Sequence, residues 1–151
     1  IGVAAGVLAG SQPSPYVAVG SREEHAAFAV KLDGDAMDFS QDKYQVKSRL
    51  IHVENRDGTT LHRHATDVPF SEFLKSVRMS IADDCFTNDD GQKFCNDGDK
   101  SLKFFVNGEQ VDSINDYVLY ENDHFLVIYG NESSDEIKAE LDALQQLLVK
   151  K

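Results

Sequence analysis

The chain has 151 residues, with 15 Lys plus Arg against 26 Asp plus Glu and a formal net charge of −11. That excess of negative charge disfavours a nucleic-acid backbone or an anionic membrane surface as the main partner. Hydrophobic residues make up 41% of the chain and charged residues 27%, which sets aside disordered and collagen-like classes and leaves one globular domain with a core of its own.

Residues Ile1 to Gly10 carry no charge. A run this short does not span a bilayer, which needs about 20 apolar residues. It reads as the trailing part of a membrane anchor or the remnant of a signal sequence, with an ordinary buried helix or strand as the alternative. Ser11-Gln-Pro-Ser-Pro15 then reads as a linker. The expected division is an apolar anchor remnant and linker over 1–20, a folded domain over 21–132 and a C-terminal amphipathic helix over 133–151.

Ala26 to Leu32 alternates in polarity and stops at Asp33-Gly34, a two-residue hairpin signal, after which Ala36 to Phe39 continues. Arg49 to Glu54 and Thr59 to Ala65 flank the turn residues Asn55-Arg-Asp-Gly58. Pro69 suits a first helical position, and Phe70, Phe73, Leu74 and Val77 follow at i, i+3, i+4 and i+7 on one face. Leu102 to Val106 and Glu109 to Val111 flank Asn107-Gly108, a second hairpin signal. Tyr117 to Tyr120 and Phe125 to Tyr129 read as strands on either side of Glu121 to His124. Ser133 to Glu136 forms a capping box, with Ile137, Leu141, Leu144 and Leu148 as a stripe behind it. Lys150 and Lys151 suit the C-terminal end of that helix dipole. The expected class is α+β: an antiparallel or mixed sheet of hairpins, one short packed helix and a C-terminal helix.

Cys85 and Cys95 bracket a third turn. With Asn88 to Gly91 as a type I turn and Gly91 in the left-handed bulge position, Phe86 faces Phe94 and Cys85 faces Cys95. Directly opposed positions on an antiparallel pair suit a disulfide, and a disulfide implies an oxidising, extracytoplasmic compartment. A redox-active pair is the competing reading, but the C-x-x-C spacing is absent.

From residue 60 onward the order is strand, short Phe/Leu helix, hairpin, then Leu102-Lys-Phe-Phe-Val-Asn-Gly108 and Tyr117-Val-Leu-Tyr-Glu-Asn-Asp-His-Phe-Leu-Val-Ile-Tyr-Gly130. This order resembles the ubiquitin-like β-grasp. The fuller pattern runs through Glu24-His-Ala-Ala-Phe28, Asp38-Phe-Ser-Gln41, Tyr44-Gln-Val46, Ile51-His-Val-Glu-Asn55, His62-Arg-His-Ala-Thr66 and Phe73-Leu-Lys-Ser-Val77. It resembles uncharacterised membrane-anchored extracytoplasmic proteins of ammonia-oxidising archaea, over roughly residues 24 to 145. The resemblance implies a β-grasp-like fold and an anchored extracytoplasmic location, and it implies no activity.

Three of the five histidines, His52, His62 and His64, lie on one hairpin. With Arg56-Asp-Gly58 as its loop, His52 faces His62 and Leu50 faces His64, so the three imidazoles share one side with Glu54 and Thr60 beside them. Ile51, Val53 and Leu61 point to the other side. Neutral imidazoles on adjacent strands suit Zn²⁺ or Cu²⁺, with His25 as a fourth ligand where its strand neighbours this hairpin. A one-residue slip in register would send His52 to the opposite face, and the alternative is a polar sheet face on which His is one residue among several. His124 reads as a solvent-exposed loop residue. Asp83, Asp84, Asp89 and Asp90 read as solvated turn residues, since no calcium-loop spacing is formed. Asn131-Glu-Ser133 is an N-glycosylation sequon, and no Walker, Rossmann or G-x-S-x-G pattern is present.

The expectation is a non-enzymatic, anchored extracytoplasmic domain that binds copper or zinc through His52, His62, His64 and His25. Its expected partners are the metal ion and a membrane-protein or cell-surface assembly, with no nucleic acid. A structural or accessory subunit of such an assembly, held by the apolar N-terminus and the C-terminal helix, is the second reading. A thiol-disulfide oxidoreductase is the third.

Overall fold

The computed structural model describes residues 20 and 22–151; the apolar run, the linker and the anchor expected there lie outside the described residues. In chain order the elements are β1 (Glu24–Leu32), β2 (Asp35–Ala36), a 3₁₀ turn (Asp42–Tyr44), β3 (Ile51–His52), β4 (Thr60–Arg63), α1 (Phe70–Ser76), β5 (Ser80–Ala82), β6 (Cys85–Thr87), β7 (Lys93–Cys95), β8 (Ser101–Val106), β9 (Glu109–Val111), β10 (Asp123–Gly130) and α2 (Ser134–Gln145). The architecture is mixed α+β. The main sheet has the order β3-β4-β1-β10-β8-β9, with β2 added to β1, and a separate three-stranded sheet has the order β5-β6-β7. Strands β1 and β10 are parallel neighbours, with Phe28 opposite Phe125. The other pairs are antiparallel. Among the described residues no helix is long and apolar enough to cross a membrane.

Turn chemistry accounts for most of the pairing. Asp33 and Gly34 have φ of 53° and 86°, and Asn107 and Gly108 have φ of 51° and 86°. These are the left-handed pairs that a twisted two-residue hairpin requires. The third turn behaves as its residues dictate: Gly91 has φ 85°, Phe86 faces Phe94, and Cys85 faces Cys95. The two cysteines form a disulfide, with their α-carbons 4.0 Å apart.

One face of the main sheet is the core. Phe28, Phe39, Phe70, Phe73 and Phe125 are all buried there, with contacting ring centroids 5.0 to 6.4 Å apart. Helix α1 contributes Phe70, Phe73 and Leu74, followed by Val77. Each such side chain withdrawn from water stabilises the fold by about 1.5–3 kcal/mol. Pro69 precedes this helix as its N-cap, with φ −83° and ψ 163°, rather than occupying the first helical position. The first free N–H groups, of Phe70 and Ser71, donate to the carbonyls of Tyr117 (2.8 Å) and Asn115 (3.1 Å).

That contact also corrects the expectation of a strand over Tyr117 to Tyr120, which is irregular. Its carbonyls are taken elsewhere: Tyr117 by the helix end, and Leu119 by the guanidinium of Arg63, through Nε (3.0 Å) and Nη2 (2.8 Å).

The opposite face carries α2, whose capping box forms as expected, with Glu136 N–H on Ser133 Oγ and Ser133 N–H on Glu136 Oε1. Ile137, Leu141 and Leu144 pack on Phe105, Leu126 and Ile128. The stripe stops short of Leu148, which is 78% exposed because the helix ends at Gln145. Bonds from Gln146 N–H to Ala143 O and from Leu147 N–H to Leu144 O tighten and close the last turn. Lys150 and Lys151 are therefore not at the helix end, as expected, but pair with Asp57 and Glu121.

Candidate metal centre

The hairpin β3–β4 places the histidines. Ile51 pairs with Arg63 and His52 with His62, and His64 N–H donates to Leu50 O at 2.8 Å. The expected register and face are therefore present, but the turn that produces them lies one step earlier than Arg56 to Gly58. Asn55 and Arg56 both have positive φ, 59° and 58°, and Asp57 N–H closes on Glu54 O at 3.0 Å.

A tertiary contact holds this turn, since Gln45 Oε1 accepts from Arg56 N–H (2.8 Å) and Gln45 Nε2 donates to Asp57 O (3.0 Å). Asp57, Gly58 and Thr59 then bulge on the β4 side. The Asp57 carboxylate satisfies them by accepting from the N–H groups of Thr59 and Thr60 and from the Thr59 hydroxyl. Gly58 is needed there because a Cβ would lie 2.5 Å from Ser40 N. The bulge restores the pairing that puts His52 opposite His62.

Strand β1 joins on the other side with His25 opposite His62. All four histidines named from the sequence thus share one face. Ring centroids are 4.8 Å apart for His25 and His62, 4.8 Å for His52 and His64, and 6.0 Å for His52 and His62. The tightest set of donors is His52, Glu54 and His64, with one ligand atom from each lying within 4.8 Å of the others. Glu54 was legible only as a neighbour of the cluster. Its position two residues beyond His52, where continued extended chain would return it to the same face, is the signal that could have made it a ligand. A tetrahedral ion with bonds of about 2.0–2.1 Å holds its donors about 3.3 Å apart, so small side-chain rotations close the set on an ion.

Three features make the set suited to a metal. The Nδ1 of His52 lies 2.8 Å from the Ser48 carbonyl, and a carbonyl only accepts, so Nδ1 carries the proton. The remaining nitrogen, Nε2, lies 2.9 Å from Glu54 Oε1; an ionised carboxylate only accepts, so this contact also uses a proton on Nε2, which an ion binding there displaces. A ligating imidazole is oriented in this way, with its second N–H given to a backbone oxygen. His64 Nε2 is buried with no hydrogen-bond partner among the described residues, although buried polar atoms are nearly always paired. Finally, burial pushes the His62 and His64 imidazoles below the usual range, reinforced by the neighbouring histidines and opposed by Glu54. That favours the neutral, ligand-competent form. The His52 hydrogen bond holds the Glu54 carboxyl below its usual range against the effect of burial, with the charges of His62, His52 and His64 assisting.

His25 is anchored differently. Its Nδ1 lies 2.9 Å from Glu121 Oε1, which also accepts the His25 backbone N–H at 2.8 Å. The other oxygen of Glu121 meets Lys151 Nζ at 2.9 Å. Burial raises the Glu121 carboxyl, but the hydrogen bonds from Lys151 and His25 outweigh it and hold the group ionised below its usual range.

His124 is not a loop residue but part of β10 and half-buried, because its strand pairs with β1 through Ala27. Its ring lies 3.1 Å from both Asn122 O and Leu147 O. Asp89 is not simply solvated either, since it accepts from Tyr44 Oη (2.9 Å) and pairs with Lys43 (2.9 Å). Comparison of the chain with protein families, curated proteins and solved structures finds no match.

Proposed function

We propose that this chain is a non-enzymatic domain that binds a divalent transition metal, Zn²⁺ or Cu²⁺, through His52, Glu54 and His64, with His62 and His25 beside them on the same face. The observation that carries the proposal is the orphaned, buried Nε2 of His64, in a set whose other imidazole has its Nδ1 proton committed to Ser48. Two imidazoles and one carboxylate suit either ion and leave a coordination position open. An open position can accept a ligand group from a partner, which fits metal carriage or delivery.

The reading extends to fold and place. Parallel first and last strands at the centre of the sheet, flanked by hairpins with α1 against one face, support a β-grasp-like assignment. The Cys85–Cys95 disulfide supports an extracytoplasmic location. Titration calorimetry with Zn²⁺ and Cu²⁺ at pH 7.5 tests the metal reading. One ion should bind per chain with micromolar or tighter affinity, and His64→Ala should weaken it at least tenfold. No uptake by the wild-type chain would refute it.

A further inference from the structure

Helix α2 covers only part of the sheet face on which the histidines lie. Its apolar residues sit on β8, β10 and the later part of β1, over Phe105, Leu126, Ile128 and Ala29, whereas the histidines stand at the start of β1 and over β3 and β4. Yet His25, His52 and His62 are only 7%, 8% and 5% exposed, and Thr60 on the same face is fully buried.

The chain that follows α2 reaches this uncovered part. Residues 146–151 run from β10, where Leu147 O lies 3.1 Å from His124 Nε2, to β4, where Lys150 N–H donates to Thr60 Oγ1 at 2.9 Å. Lys150 Nζ meets Asp57 Oδ1 at 2.8 Å, and Lys151 Nζ meets Glu121 Oε2 at 2.9 Å. Both carboxylates belong to the surroundings of the histidines. Asp57 pins the bulge that sets the register of His62, and Glu121 fixes the ring of His25.

We propose that residues 146–151 form a strap across the histidine face, latched by Lys150 to Asp57 and by Lys151 to Glu121, and that its opening governs metal exchange at the site. This rests on the metal reading above. The strap is built to open. Leu148 is exposed and Val149 only half-buried, so little apolar burial holds it. Its two latches are ion pairs whose lysines are 59% and 55% exposed, the kind that contributes weakly. Segments held this way open locally far more often than the whole fold does.

The test is the double substitution Lys150→Gln with Lys151→Gln in the full chain. Acylation of each histidine by diethyl pyrocarbonate is followed by peptide mass in the metal-free protein, and release of bound Zn²⁺ into a chelator is followed separately. Loss of both latches should raise the open population, and with it the acylation rates of His25 and His62, about fivefold. The thermal midpoint should stay within about 2 °C. Zn²⁺ release should quicken by a similar factor while affinity changes less than threefold. Unchanged acylation of His25 and His62, or unchanged release, overturns the strap. Absence of Zn²⁺ uptake by both proteins overturns the metal reading itself, and the acylation rates still decide whether the segment covers the face.

Discussion

Strand β4 buries polar groups on both of its faces and treats them in opposite ways. On the core face, between Leu61 and Ala65, stands Arg63, 1% exposed. All three of its nitrogens are engaged: Nε and Nη2 donate to Leu119 O, and Nη1 donates to Ala65 O at 2.8 Å. On the other face His62 is buried and His64, just past the strand, is half-buried with its Nε2 out of contact with water and without a partner among the described residues. A buried donor set that is fully satisfied belongs to the architecture, because removing it strands other groups. A buried ring nitrogen left open is what the proposed metal ion would satisfy. Within the five residues Leu61 to Ala65 the chain thus holds one buried polar group with every nitrogen engaged and another with a nitrogen left open.

Substitution on the core face is the strongest way to break this contrast. Arg63→Ala should cost about 3–5 kcal/mol, because the carbonyls of Leu119 and Ala65 lose their donors inside the protein. Chemical denaturation checks the size, and a loss under about 1 kcal/mol would remove Arg63 from the architecture. His64→Ala should change the stability of the metal-free protein by less than about 1 kcal/mol while removing most metal affinity. Away from both faces, Cys85→Ser with Cys95→Ser should cost about 2–3 kcal/mol, since it releases a short loop in the unfolded chain. Metal affinity should be unchanged, and calorimetry on the reduced or substituted protein checks this.

The smallest effect is one of pH. His62 and His64 have depressed proton affinities when folded, so below about pH 6.5 the unfolded chain binds more protons than the folded one. Stability of the metal-free protein should therefore be flat above neutrality and decline as pH falls below about 6.5. Denaturation midpoints at pH 7.5, 6.5 and 5.5 in wild type and His64→Ala sharpen the contrast, since the variant should show the shallower decline.

The sequence disclosed what is decided by neighbours in the chain. Asn88 to Gly91 dictates the cysteine register, Asp33-Gly34 and Asn107-Gly108 dictate two hairpins, and Ser133 with Glu136 dictates the start of α2. It concealed what distant residues decide. The hairpin turn moved to Asn55-Arg56 because Gln45, eleven positions away from Arg56, grips it. The stretch Tyr117 to Tyr120 lost its strand to Arg63, 56 positions away from Leu119, and to the start of α1. The histidine face was legible by register alone, but the membership of Glu54 was not, because it depends on side-chain reach past the end of β3.

The most direct test follows the imidazole nitrogens themselves by ¹⁵N nuclear magnetic resonance during Zn²⁺ addition at pH 7.5. On binding, one ring nitrogen of His64 and Nε2 of His52 should shift together in a one-to-one titration. Nδ1 of His52 should keep its proton, hydrogen-bonded to Ser48, and the rings of His64 and His52 should respond alike in Glu54→Gln only at higher Zn²⁺. Zn²⁺ that leaves both rings unshifted, or shifts only histidines outside this pair, would contradict the assignment of His52, Glu54 and His64 as the metal centre.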